Sequence, residues 1–450
     1  MDCAGPVEDL KEKHKTLFLV GLVVGYDPGK GEQIMVRFIA IPRSPVVLLF
    51  VLSQLQMPVT AQDWPQWRGP NRDGNITSFA EAKAWPDQLK QKWQITVGMG
   101  YSSPVLVKQR IYLLTRQGEQ EVVSCIDFET GKQIWRDTYS AAYTMNPAAT
   151  RHGKGPKSTP VFSGGKLCTL GISGILSCYD AENGKLRWRR EFASQYSDTS
   201  PLYGSATSPI VEQGLLITHV GGHDNGALTA FDLETGKTVW SWNGDGPSYA
   251  SPIIVNLGGT RQIVTQSQKY LIGVSVADGK LLWSVPFTTA WEQNIVTPVV
   301  FKQILIFSGL DKGVMAIKLG QSGGKWTADK VWENSDVSFY MSTPVLNGNL
   351  LLGMSHRARG RFVALDAGTG KTLWATNGRE GDNAAVLTSG DKLLLLTSDA
   401  ELIVAKSSST GFEPLRRYTV AKSPTWAHPV LAGKHILVKD AETLTLWSVD

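Results

Sequence analysis

The chain has 450 residues, a formal net charge of +5, only 19% charged residues and 15 tryptophans. Its basic residues are scattered, and no Lys/Arg run is dense enough for a nucleic-acid or membrane-surface site. Few charges and many indoles instead suit a large packed core, and internal repetition lets one domain absorb the whole length.

The first sixty residues stand apart. From Met35 the chain reads MVRFIAIPRSPVVLLFVLSQLQMPVTA, with Arg37 and Arg43, an apolar run, then Val59-Thr60-Ala61 before Gln62. That order describes a secretory signal peptide, so residues 1–61 are expected to be an upstream segment plus signal, with Met35 the true start. The competing reading is an N-terminal anchor, because TLFLVGLVVGY (16–26) is a second apolar run. Neither run reaches the roughly 18–20 apolar residues that cross a bilayer. Cleavage after Ala61 is favoured, and the residue directly after that site is Gln62 rather than a cysteine that could carry a lipid. The mature chain is expected to be exported, periplasmic or extracellular, without a transmembrane span.

Residues 62–88 read as an N-terminal extension that includes DWPQWRGPNRDG (63–74), and LKQKWQITV (89–97) is an orphan Trp strand. From there one unit recurs. It opens with a small residue and a proline before an apolar strand, as in SSPVLV (102–107), STPVF (158–162) and TSPIV (207–211). A second β-rich run, a Gly or polar turn, a third run ending in Asp, a T-G-K turn and a Trp strand complete it. The leading prolines stand at 104, 160, 209, 252, 298, 344 and 429, and the double gap at the end holds a prolineless copy, 383–406. Eight such units predict an all-β fold, a single eight-bladed β-propeller of four-stranded antiparallel blades over 89–450. The last unit ends in LTLWSVD without a T-G-K-x-x-W segment. The strand carrying Trp93 is therefore expected to pair into the last blade and close the ring, which removes exposed edges.

The repeated Asp, Gly and Trp read as blade staples rather than catalytic groups. They are Trp93; Asp127, Gly131 and Trp135; Asp180, Gly184 and Trp188; Asp232, Gly236 and Trp240; Gly279 and Trp283; and Asp366, Gly370 and Trp374. Glycine suits a tight turn of positive φ, Asp can bond the backbone of that turn, and an indole can bury a large area on the neighbouring blade. Cys125, Cys168 and Cys178 follow the cleavage site. Cys168 and Cys178 flank a hairpin tip, which leaves a cross-strand disulfide open. The plainer reading treats Cys125 and Cys178 as small buried residues in the slot held elsewhere by Ala230 and Ala364. No C-x-x-C or C-x-x-C-H supports a metal cluster or attached haem.

The A-x-D-x-x-T-G-x-x-x-W pattern, AFDLETGKTVW and ALDAGTGKTLW, resembles the tryptophan-docking repeat of the quinoprotein alcohol dehydrogenase-like family, whose propellers carry pyrroloquinoline-quinone (PQQ) repeats. The resemblance covers about 89–450, and 63–74 is similar to the leader of secreted bacterial members. It implies the fold more than the activity, since that family includes quinone dehydrogenases, outer-membrane assembly scaffolds and members without a known role. For a dehydrogenase it implies PQQ held between a Trp and a disulfide of adjacent cysteines, with calcium and an Asp base. The adjacent cysteines are absent here. Asp311 and Asp224 are the best-situated carboxylates, and Trp291 or Trp426 could offer a stacking surface.

In an antiparallel four-stranded blade, the inter-blade links and the second-to-third-strand turns share one face. The links bring Tyr101, Arg151, His152, Tyr249, Trp291, Glu292, Tyr340, Trp426 and His428; the turns bring His223, Asp224, Asp311, Lys312, His356 and Arg357. Aromatic and ionisable groups around a funnel suit a planar or sugar-like ligand. The competing view is a plugged channel with solvated turns. A metal site from His223 and Asp224 with His356 would span three blades and lacks ligand spacing, so no metal is expected. GTGK (368–371) has the blade-turn explanation, and no nucleophile elbow appears. The sequence thus reads as a monomeric, non-catalytic module that binds a small molecule, saccharide or envelope protein through its funnel face. A PQQ- and calcium-dependent dehydrogenase and an envelope-assembly scaffold are the alternatives.

Overall fold

The computed structural model describes residues 63–77, 79 and 85–450; residues 1–61, expected to hold a signal peptide, and part of the extension lie outside them. Eight antiparallel sheets follow one another along the chain. Blade 1 consists of Val105–Val107, Arg110–Gln117, Gln120–Asp127 and Gln133–Ser140. Blades 2 to 7 begin at Val161, Ile210, Ile253, Val299, Val345 and Ala384, and blade 8 begins at Val430. Each middle strand has a blade packed on both faces, so its residues are buried without alternation, as at Leu393, Leu394, Leu395 and Leu396 in blade 7. Blade 8 is completed by Lys90–Thr96, which runs antiparallel to Thr443–Ser448 with Gln94 opposite Thr445. The two ends of the propeller therefore share a sheet.

The staples repeat one contact. The Trp188 indole N–H of blade 2 donates to the Leu233 carbonyl of blade 3 at 3.1 Å. Trp93 does the same to Phe128 (2.9 Å), Trp135 to Ala181 (3.0 Å), Trp240 to Val276 (3.0 Å) and Trp374 to Ser408 (2.8 Å). In the turn that receives the ring, Asp232 accepts from the Thr235 N–H at 2.8 Å and its hydroxyl at 2.7 Å. The same Asp–Thr bonds recur at Asp127 and Asp366, while Asp180 accepts from the Asn183 N–H instead. Gly236 has φ +68°, and a Cβ there would lie 2.5 Å from Trp188 Cδ2. Glycine is thus required twice, by the turn and by the incoming ring. Gly131, Gly184, Gly279 and Gly370 meet Trp93, Trp135, Trp240 and Trp332 in the same manner.

Trp283 departs from this pattern. Its N–H donates at 2.6 Å to the Gln262 side chain of its own blade 4. The reason lies in blade 5, where the long hairpin Val314–Ser322 and Lys325–Asn334 replaces the T-G-K turn that would have received the ring. Blade 5 supplies Trp332, absent from the set nominated on sequence, which donates to Ala367 at 3.2 Å.

The small residue before each leading proline forms a second ring of contacts. Backbone N–H groups donate to the next blade's hydroxyl from Ser103 to Thr159 (3.3 Å), Thr159 to Ser208 (3.0 Å), Ser208 to Ser251 (3.0 Å), Ser251 to Thr297 (3.0 Å) and Thr297 to Thr343 (3.2 Å). His428 occupies the equivalent position in blade 8 and donates from its backbone to the Ser103 hydroxyl at 2.8 Å. Small side chains are needed because six of these positions crowd the axis.

The extension plugs the far end of that axis. Trp64 bonds Leu106 of blade 1, and Phe162 of blade 2 bonds the Pro65 carbonyl. Arg72 donates to Ser208 (2.9 Å) and Pro209 (2.8 Å) of blade 3, and Arg68 to Pro344 of blade 6 (2.7 Å). Asn75–Ile76 adds a parallel fifth strand to blade 7. Both guanidiniums are buried, and desolvation lowers Arg68 to about 10 and Arg72 to about 9. They hold the Trp67 ring at 5.5 and 5.6 Å from its centroid. Cys168 and Cys178 face each other in blade 2 and form a disulfide, so the cross-strand alternative displaces the plainer reading, while Cys125 stays free and buried.

Candidate functional site

A cavity of about 280 Å³ opens on the axis, walled by the inter-blade links and floored by Trp67. Seven nominated residues line it: Tyr101, Arg151, His152, Tyr249, Tyr340, Trp426 and His428. Pro147–His152 forms a short 3-10 turn capped by the Asn146 side chain, and this turn sets Arg151 and His152 over the mouth. The His152 ring lies 4.5 Å from Trp426 at 78°, the Arg151 guanidinium 5.6 Å from the same indole, and Tyr101 6.5 Å from it. Arg151 also pairs with Asp382 at 2.8 Å, where both groups are exposed. Burial lowers His152 to about 4, with Lys157 and Arg151 adding to the effect. A neutral ring can then accept the Arg151 Nε–H on Nε2 (3.3 Å), which leaves the proton on Nδ1. His428 is pushed down to about 3 by burial and meets Trp67 edge-on at 5.5 Å.

Several lining residues carried no sequence signal. Tyr203 packs 6.0 Å from Tyr249, whose hydroxyl accepts the Tyr203 N–H at 3.2 Å, and burial raises the Tyr249 phenol. Gln293 accepts from the Tyr340 hydroxyl. Lys157 donates to the Tyr203 carbonyl at 2.6 Å, and desolvation lowers its amine to about 8. Asn383 and Trp67 complete the wall and floor. Only a small residue before Pro (Ser208, Ser251, Thr297, Thr343) could have been traced to the axis from the repeat.

The remaining nominated residues do not reach the cavity; they sit in two groups and on exposed turns. His223 Nδ1 lies 3.0 Å from Glu292, its Nε2 lies 3.5 Å from Asp224, and Asp224 pairs with Lys269 at 2.6 Å. The donor atoms of His223, Asp224 and Glu292 lie within 4.8 Å of one another. The imidazole bridges the two carboxylates through different nitrogens, which sets the trio apart from a single converging centre. His356 is held elsewhere, by Asp311 (2.9 Å) and the Ser338 carbonyl (2.9 Å), so it never meets His223. Lys312 and Arg357 sit on these outer turns, the latter bonded to the Ser335 carbonyl. Trp291, proposed as a stacking surface, is 71% exposed and absent from the cavity wall. Its backbone is left-handed at φ 59°.

Among the lining residues there is no Asp or Glu. A calcium-bound quinone needs anionic oxygen ligands, and Asp224 and Asp311 are spent on Lys269 and His356. The only disulfide among the described residues lies between strands inside blade 2, with neither cysteine on the cavity wall. The residues present do not fit a PQQ–calcium centre.

A family model described as outer membrane protein assembly factor BamB, built on PQQ-like repeats, matches residues 118–376, more than half the chain. The chain belongs to this family. An outer membrane protein assembly factor BamB of Shewanella oneidensis is 24% identical over 78% of this chain and 76% of its own length. The namesake of Burkholderia pseudomallei is 23% identical over 69% and 86%. Among solved structures, BamB from Moraxella catarrhalis aligns with a TM-score of 0.57 at 16% identity, over 80% of this chain and 97% of that one. A europium-containing methanol dehydrogenase aligns with a TM-score of 0.63 at 12% identity, over 89% and 100%. At these identities the family's structures share the propeller and nothing finer.

Proposed function

We propose that this protein is a non-catalytic propeller of the cell envelope that serves the assembly of outer-membrane proteins, docking a protein partner through its funnel face. The observation that carries this reading is the run of assembly-factor relatives that match most of the chain. It reverses the order set by the sequence, in which a general ligand-binding module stood first. Support also comes from the acid-free cavity, which gives a quinone dehydrogenase neither metal ligands nor a base. No helix among the described residues is long and apolar enough to cross a membrane.

The test is loss of the gene in its native host. Abundance of outer-membrane β-barrel proteins should fall, and the full chain supplied in trans should restore it. An unchanged outer-membrane protein profile overturns the reading. So does alcohol-dependent dye reduction by the purified chain with PQQ and calcium.

A further inference from the structure

The cavity wall carries three unmet demands that the partner-docking role does not use. First, the Lys157 ammonium makes one hydrogen bond, to the Tyr203 carbonyl, and among the described residues no carboxylate pairs with it. A desolvated cation normally has an anionic partner, because burial without one is costly. Second, the buried Asn383 side-chain oxygen has no partner, which leaves an acceptor for a hydroxyl donor. Third, the walls carry tyrosine rings, while both indoles of the cavity are engaged, Trp426 by His152 and Arg151 and the floor Trp67 by His428, Arg68 and Arg72. A puckered ring with hydroxyl edges and apolar C–H faces matches tyrosines. The volume, about 280 Å³, lies just below the roughly 300–1,000 Å³ of sites for drug-sized ligands and suits a single small ring.

We propose that this cavity binds an acidic sugar, a pyranose ring bearing a carboxylate, with the carboxylate on Lys157, a ring hydroxyl on Asn383 and the ring face against Tyr203 and Tyr249. Arg151 at the mouth, although paired with Asp382, adds to the attraction. The site stands independently of the outer-membrane assembly reading, since one concerns a small molecule on the axis and the other a protein on the rim.

Isothermal titration of the mature chain with glucuronate and galacturonate, with glucose as the neutral control and PQQ plus calcium as the quinone arm, tests this directly. A uronate should bind at least ten-fold more tightly than glucose. Lys157→Met, which keeps the stem and removes the charge, should weaken the uronate ten-fold or more and leave glucose unchanged. Asn383→Asp, placing a negative charge on the wall, should abolish uronate binding; it serves as the second variant if Lys157→Met melts early. Equal affinity for glucose and uronate, a uronate affinity indifferent to both variants, binding of PQQ alone, or no binding at all would each overturn the proposal. Because outer-membrane protein levels are read in cells and uronate binding in a calorimeter, either conclusion can fail without the other.

Discussion

The blade staple makes a quantitative prediction at Gly236. Alanine there faces two costs. Its φ of +68° is unfavourable for an L-residue by about 1–2 kcal/mol. Its Cβ would also lie 2.5 Å from Trp188 Cδ2, where carbon atoms rest at about 3.5–4 Å, so the indole must shift by about 1 Å. That movement strains the 3.1 Å bond from Trp188 to Leu233, and overpacking of this kind costs about 1–3 kcal/mol. Trp188→Ala costs about 3–5 kcal/mol by itself. With the ring gone, Gly236→Ala should retain only the backbone cost. The two changes should therefore couple by about 1–3 kcal/mol, well outside the roughly 0.3–0.5 kcal/mol scatter of independent sites. Guanidinium unfolding of the wild type, both single variants and the double variant measures the coupling. Gly324, in the distant blade 5 hairpin, has φ +77° with nothing near its Cβ, so Gly324→Ala should add to Trp188→Ala without coupling. If Gly236→Ala lowers the midpoint equally in both backgrounds, the indole does not select the glycine and the reasoning fails.

Three further outcomes can be checked. Stability should fall as pH drops from about 6.5 towards 4, because burial holds His219 at about 4 and His428 at about 3 and the unfolded chain then binds more protons than the folded one. Each can account for up to about 3 kcal/mol at pH 4.5, at about 1.4 kcal/mol per pH unit; Glu121, raised by burial, works against the trend, and His428→Phe should flatten the thermal-melt curve. Removing the Cys168–Cys178 bridge with a double alanine variant should cost about 2–3 kcal/mol, the loop-closure value for a separation of 10 residues, read from denaturation with and without reductant. Trp67→Ala should lower the melting temperature and open the floor of the cavity to water, so that His428 titrates closer to its ordinary value by NMR; an unchanged His428 titration would mean that Trp67 does not seal it.

The fold was legible because its information is local and repeated. The Asp232–Thr235–Gly236–Trp240 spacing encodes one turn and one docking contact; four close copies and a degenerate one at Gly279 and Trp283, set among eight strand repeats, outvote the irregular blades. Where a contact depends on the neighbour, reading from one blade fails. Trp283 has the motif's tryptophan, yet the blade beside it lacks the receiving turn, so the ring bonds Gln262 instead. Trp332 lacks the preceding turn and still docks on Gly370. The cavity was half legible. Tyr101, Tyr249, Tyr340 and Trp426 precede strands that start at the axis, so their side chains had to approach it. His223, Asp311 and His356 sit on turns farther out along the blade, where the radius is larger and charges find one another before they reach the centre.

The small hydroxyl residue, Ser or Thr, in six blades also explains why the cavity has a floor from outside the repeat. In blades 1 to 6 the residue before the leading proline is Ser or Thr, and this chain of hydroxyl contacts ties neighbouring inner strands together. Blade 8 alone carries a large residue there, His428, whose ring meets Trp67; a residue of that size in every blade would collide at the axis, so repetition cannot fill the hole it creates. One nonrepeating segment can. The extension reaches across from blade 3 to blade 6 through Arg72 and Arg68, and its single Trp67 covers the opening. Lys157 and Asn383 likewise lie in links of unequal length, free of the blade pattern. Chemistry at the axis can therefore change by altering the extension and the links, while the staples that hold the blades stay untouched.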